Sequence, residues 1–162
     1  MPPYRLQTVL EMRERAEEEA KQAFSEATQA LVKARGELKR LEDDLETRKR
    51  ERKAKVQAYL QEVMAKGVGA SGLATMNRFE DRLKDEEAQV ALDIDRQKEA
   101  VKDAEDFLEQ RRHEMAEAAK EKKAIEKHKE NWTAQIRKER QGREDLTQEE
   151  IGNTLYLMRN RK

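Results

Sequence analysis

No cysteine occurs in the 162 residues, which excludes disulfide staples and thiolate metal sites and is compatible with a reducing compartment. Proline is confined to Pro2 and Pro3, ahead of the first periodic residue, so nothing later forces a helix to kink. Aromatic residues make up only 4% of the chain and the mean hydropathy is -1.17, too little apolar mass for a compact core. Neither sign of charge is in excess. The 35 basic and 35 acidic residues balance, which removes any overall attraction to nucleic acid or to an acidic membrane surface. No apolar run approaches the ~20 residues that a membrane-spanning helix needs, and Met1-Pro2-Pro3-Tyr4-Arg5 lacks the apolar centre of a signal peptide. The expectation is a cytoplasmic protein with no direct membrane insertion and no nucleic-acid partner.

Glycine is scarce as well, six in all, and three of the six fall within Gly67-Val68-Gly69-Ala70-Ser71-Gly72. Each glycine costs about 1 kcal/mol inside a helix, so three in six residues read as a break. On either side the chain is rich in charge, 43% overall, and in the strong helix formers Ala, Leu, Glu, Lys, Arg and Gln. Before the break, an apolar series runs from Leu6 and Leu10 through Ala20, Phe24, Ala27, Leu31, Ala34, Leu38, Leu41, Leu45, Val56 and Leu60 to Val63. After it, a second series runs from Met76, Phe79 and Leu83 through Val90, Ile94, Val101, Ala104, Leu108, Met115, Ala118 and Ile125 to Trp132 and Ile136. Most steps in both are of three, four or their sum of seven, the heptad signature of a coiled-coil seam.

The expected fold is therefore all-α: a long antiparallel two-helix coiled-coil hairpin with a short C-terminal helical tail. Helix 1 is expected over about residues 4–66, with Gly67 as its cap, the tip over 67–72, helix 2 over about 73–140 with Ser71 as a candidate N-cap, and the tail over 141–162. At 1.5 Å per residue, such helices reach roughly 90 and 100 Å.

Folding the chain about Gly69 and Ala70 tests that reading. The single reflection pairs Val63 with Met76, Leu60 with Phe79, Val56 with Leu83, Leu45 with Ile94, Leu38 with Val101, Leu31 with Leu108, Phe24 with Met115 and Leu6 with Trp132. It also sets Arg52 against Glu87, Lys122 near Glu17 and Glu18, the basic run Arg48 to Lys55 against Asp85 to Glu87, and the acidic run Glu11 to Glu19 against Lys120 to Lys129. Such pairs contribute only about 0.3–0.5 kcal/mol each when exposed, yet they select register. Beyond Ile136 the second series has no opposite strand. There Gln141-Gly142-Arg143 weakens the helix, and Thr147 with Glu150 offers a capping box for a last helix carrying Ile151, Leu155 and Met158.

Catalytic chemistry finds no setting. Gly67, Gly69 and Gly72 spell the dinucleotide fingerprint, but that motif works between a strand and a helix, and a long amphipathic helix precedes it here. His113 and His128 stand fifteen residues apart, too far along a helix to share a metal. The carboxylates lie on solvated helix faces with no pocket to tune them. No enzyme activity, cofactor or metal is expected. Trp132, the only tryptophan, reads either as a knob that closes the seam against Leu6 and Tyr4 or as a partner contact. Residues 120–143 are rich in basic side chains and residues 80–106 in acidic ones, so the two ends of the hairpin differ in charge.

The opening Tyr4-x-Leu6-x-x-Val9-Leu10, the charged hairpin with its glycine-rich tip, the late His128-Lys129-Glu130-x-Trp132 and the ending Glu150-Ile151-Gly152-x-x-Leu155 with Arg159, Arg161 and Lys162 together resemble a known family. They look like the type III secretion stalk proteins, YscO of injectisomes and its flagellar relative FliJ. The resemblance covers the whole chain in length and layout. It implies a non-enzymatic cytoplasmic stalk at the base of a secretion apparatus, similar in shape to the coiled coil of the central γ subunit of rotary ATPases. Implied partners are the hexameric type III secretion ATPase at the end that carries both termini, the cytoplasmic ring of the export gate at the hairpin end, and secretion chaperones. On this reading Trp132, Arg137, Lys138, Arg140 and Arg143 are the candidates for the ATPase end, and Phe79, Glu80, Asp81 and Leu83 for the gate end. Phe79 and Leu83 are also seam positions, which leaves packing as an equal reading of both. A general coiled-coil scaffold or adaptor, homodimeric or not, is the alternative; a prefoldin-like holdase would need strands that this sequence lacks.

Overall fold

A computed structural model describes residues 1–67 and 69–161 of the chain. The fold is all-α, with α1 (Gln7–Lys66) and α2 (Ala70–Arg159) packed antiparallel as a hairpin. Val68 of the expected tip and Lys162 at the end of the expected tail lie outside the described residues.

The turn is tighter than the sequence suggests. α1 ends at Lys66, and Gly67 follows with φ 61°, the left-handed conformation that a helix cap asks for and that side chains with a Cβ adopt at a cost of about 1–2 kcal/mol. The Gly72 N–H donates to the Gly69 carbonyl at 3.0 Å, so α2 is under way from Ala70 and Ser71 lies within its first turn instead of capping it. At the other end, α2 continues through Gln141-Gly142-Arg143 to Arg159, where the sequence reading expects a break and a separate tail helix. One glycine costs about 1 kcal/mol, too little to interrupt a helix whose neighbours favour it on both sides. Thr147 accordingly makes no capping box. Its Oγ1 donates to the Arg143 carbonyl one turn back at 2.8 Å, the habit of a threonine inside a helix.

The chain divides into two compact units, Ala23–Arg112, and Met1–Gln22 with His113–Lys162. In the first, the seam buries Ala27, Leu31 and Val63 of α1 and Met76, Val90, Ile94 and Val101 of α2. The buried α2 positions, including Glu87, follow one another by three, four, seven and eleven residues, which keeps them on a single stripe of the helix. Ala27 is the most covered of these, at 2% exposed. Glu87 is the one buried charged residue among those described, and Arg52 answers it, Nε to Oε1 at 2.7 Å. The pair expected from the reflection is therefore present, as is Arg48 with Glu86 at 3.6 Å. Leu60 departs from expectation. It is exposed, while the neighbouring Tyr59 leans on the seam with its hydroxyl 3.5 Å from the Gly72 carbonyl.

In the second unit, Tyr4 and Leu10 are the buried apolar residues and Trp132, Ile125 and Ile136 are half-covered. Lys122 meets Glu17 at 3.1 Å, again as the reflection requires, and Arg13 pairs with Glu121. From Arg137 onward every described residue of α2 is exposed; α1 begins only at Gln7, and Tyr4, ahead of it, already lies against Trp132.

Candidate functional site

Unit Met1–Gln22 with His113–Lys162 holds the first group of candidates. Tyr4 is the pivot: buried, it lies 5.2 Å from the Trp132 ring at a tilt of 50°, a favourable edge-on aromatic geometry. Its hydroxyl is 2.6 Å from Nδ1 of His128, and the Lys129 ammonium stands 5.9 Å from its ring centre while donating to Oε1 of Gln7 at 2.9 Å. These contacts fasten the first residues of the chain to α2. Trp132 thus packs against Tyr4, one of the two roles its position allows, and keeps part of its surface uncovered. His128 has a structural partner in Tyr4, a contact that residue spacing alone gave no signal for.

One turn further on, Arg137, Arg140 and Arg143 succeed one another at three-residue steps and, with Met1, Pro2, Thr133, Ile136 and Glu144, line a shallow groove. Arg140 donates to Glu144 at 3.0 Å and Arg143 lies 4.0 Å from Glu139. Arg137 and Lys138 make no ion pair among the described residues. The arrangement is a cationic, solvent-facing helix surface next to a small apolar floor, able to receive carboxylates but with nothing in it to perform covalent chemistry. Past it, Leu146, Ile151, Leu155, Tyr156, Leu157 and Met158 are all exposed, of which Ile151, Leu155 and Met158 share one helix face.

Unit Ala23–Arg112 holds the second group. Phe79 and Leu83 are half-covered and belong to the seam; Arg82 reaches over the Phe79 ring at 5.4 Å. Glu80 is committed within the chain, 3.4 Å from Arg52 and 3.3 Å from Lys84. Asp81 alone of the four is exposed, so the group does not form one open surface.

Electrostatics bears on packing more than on reactivity. Lys21 and then Lys122 hold the Glu17 carboxyl below its ordinary value, and Glu17 in turn raises Lys122. Among the described residues no three His, Cys, Asp or Glu side chains converge to hold a metal ion, and no helix is long and apolar enough to cross a membrane.

Comparison with known proteins agrees with this architecture. The family model described as YscO-like protein matches residues 1–162. Among solved structures, one described as that of a YscO homolog, CT670, from Chlamydia trachomatis superposes with a TM-score of 0.80 at 23% identity, covering 100% of this chain and 99% of that one. A search of the curated proteins found no match.

Proposed function

The chain belongs to the YscO-like family of type III secretion stalk proteins, and from that premise we propose that it links the hexameric secretion ATPase to the cytoplasmic ring of the export gate, without catalysis of its own. In this reading the protein works in the cytoplasm at the base of the apparatus and promotes ATP hydrolysis and export by biasing the asymmetric states of the hexamer. The observation that carries it is the stretch of α2 from Arg137 to Arg159, which runs on past the N-terminus of α1 with every side chain exposed. A helix end whose basic side chains at 137, 138, 140 and 143 are followed by exposed apolar ones, and that the chain leaves uncovered, suits insertion into a ring of partner subunits.

Arg137, Lys138, Arg140 and Arg143 are assigned to the ATPase contact, with Trp132 as the packed base on which that end is built. The test is a pull-down of the purified secretion ATPase by the full chain and by a variant with all four changed to Glu. The four residues are exposed, so the fold should survive, and binding should fall by 10-fold or more. Unchanged binding by the variant removes these residues from the contact, and absence of binding by the wild type removes the stalk reading.

A further inference from the structure

The last turns of α2 carry a charge pattern that the hairpin itself does not use. Residues 144–150 hold four acids, Glu144, Asp145, Glu149 and Glu150, and no base; residues 151–158 hold no charge; residues 159–162 hold three bases, Arg159, Arg161 and Lys162, and no acid. In the uncharged middle, Ile151, Leu155 and Met158 share one helix face, and each is more than half exposed. Arg140 engages Glu144 at 3.0 Å, whereas Asp145, Glu149, Glu150, Arg159 and Arg161 make no ion pair among the described residues. The stretch is already helical up to Arg159 as the continuation of α2, so pairing along it carries no further cost of forming a helix.

We propose that this stretch pairs antiparallel with the same stretch of a second copy of the chain, about a two-fold axis at Asn153, and that the pairing covers the apolar face while the chain is free. In that register Ile151 meets Leu155 of the second copy, Leu155 meets its Ile151, and Met158 meets its Gln148. The acidic block of each copy then faces the basic end of the other. Arg159 falls opposite Thr147, and Glu144, Asp145, Glu149 and Glu150 all stand within three residues of that point. No like charges face one another between residues 144 and 162. Arg143, the base just before the acidic block, lies 4.0 Å from Glu139 of its own chain, which offsets it. A parallel pairing is disfavoured, since it sets acids on acids and bases on bases. An acidic membrane surface is disfavoured as well, because four acids precede the apolar face where an interfacial helix carries Lys and Arg. A second copy fits because blocks ordered acidic, apolar and basic are matched along their whole length by the same order reversed. The pairing is a property of the free chain and does not rest on the stalk reading. With three apolar side chains from each copy the contact is small, which sets its dissociation constant on the order of 10–100 µM.

The experiment is sedimentation equilibrium of the full chain over about 5–300 µM, a range that brackets the expected dissociation constant. The wild type should pass from monomer to dimer across it. Leu155→Glu should weaken the self-association by about 10-fold or more, and so should the change of Glu144, Asp145, Glu149 and Glu150 to Lys, which turns the acid-to-base contacts into base-to-base ones. Adding Arg159→Glu, Arg161→Glu and Lys162→Glu to that four-Lys variant exchanges the two blocks and should restore the dimer. The described positions among these are exposed, so circular dichroism should show the same helix content throughout. A wild-type chain that stays monomeric over the whole range overturns the pairing and leaves the face to a different partner. A dimer that Leu155→Glu retains in full has its contact elsewhere and overturns it too. A four-Lys variant as dimeric as the wild type, or an exchanged variant that does not recover, overturns the antiparallel arrangement.

Discussion

At the residue scale, stability is concentrated in a few side chains that meet across the seam. Arg52 and Glu87 are both largely covered, and their contact at 2.7 Å is the most buried ion pair among the described residues. Removing the arginine leaves a covered carboxylate to water from one side only, so Arg52→Ala should cost about 1–3 kcal/mol, as read from urea unfolding. The double variant Arg52→Met with Glu87→Met should recover most of that loss, because a seam position accepts an apolar residue. Ala27 carries the opposite constraint. At 2% exposed it has no room for growth, and Ala27→Leu should destabilise by about 1–3 kcal/mol even though leucine is the more apolar residue.

Glu17 gives the residue scale a pH signature. Its carboxyl is held below the ordinary value of 4.5, chiefly by Lys21 and then by Lys122. A group whose folded-state value is lowered contributes stability that is complete above its unfolded value and is lost as the pH falls through the folded one. The thermal midpoint of the wild type should therefore exceed that of Glu17→Gln at pH 7, and the two should converge as the pH falls below the ordinary 4.5 and through the lowered folded-state value, where Glu17 is neutral. A gap that stays constant from pH 7 to pH 3 would show that Glu17 acts through packing alone.

At the scale of the helices, glycine has two opposite roles. Gly67 is in the left-handed region at φ 61°, and Gly67→Ala should cost about 1 kcal/mol although open space surrounds the position. Gly142 is inside α2 with no atom within 4 Å of an added Cβ, so Gly142→Ala should raise stability by about 0.5–1 kcal/mol. Thermal melts of the two variants should move in opposite directions. The same pair shows what could be read from the sequence and what could not. Clustered glycines at 67–72 marked the turn because no helix tolerates three so close together. A lone glycine at 142 also looked like a break, but the good helix formers around it outweigh its cost, and Thr147 bonds back along the helix where a capping residue was expected.

The seam was legible for a related reason. A reflection of the chain imposes its register through many weak preferences at once, and both Arg52 with Glu87 and Lys122 with Glu17 fall where it requires. Its grip loosens beside the turn, where the few residues left to the loop decide which side chain faces inward; Tyr59 takes the place expected of Leu60. The partner of His128 lay beyond the pattern altogether. Tyr4 precedes the first turn of α1, so helical spacing does not govern where its hydroxyl goes, and only the structure brings it to Nδ1.

At the scale of the whole molecule, the chain belongs to a family of generally non-catalytic structural proteins. Along the end of α2 the basic side chains at 137, 138, 140 and 143 and the apolar Ile151, Leu155 and Met158 are all exposed. On the proposed stalk reading the protein acts through its partner, so its function should appear in the partner's activity.

The steady-state rate of ATP hydrolysis by the purified secretion ATPase, measured as the full chain is added, tests that claim most directly. The rate should rise and saturate with added protein, and a variant with all of Arg137, Lys138, Arg140 and Arg143 changed to Glu should leave it at its basal value. A rate unaffected by the wild-type chain at concentrations that saturate the pull-down would contradict it.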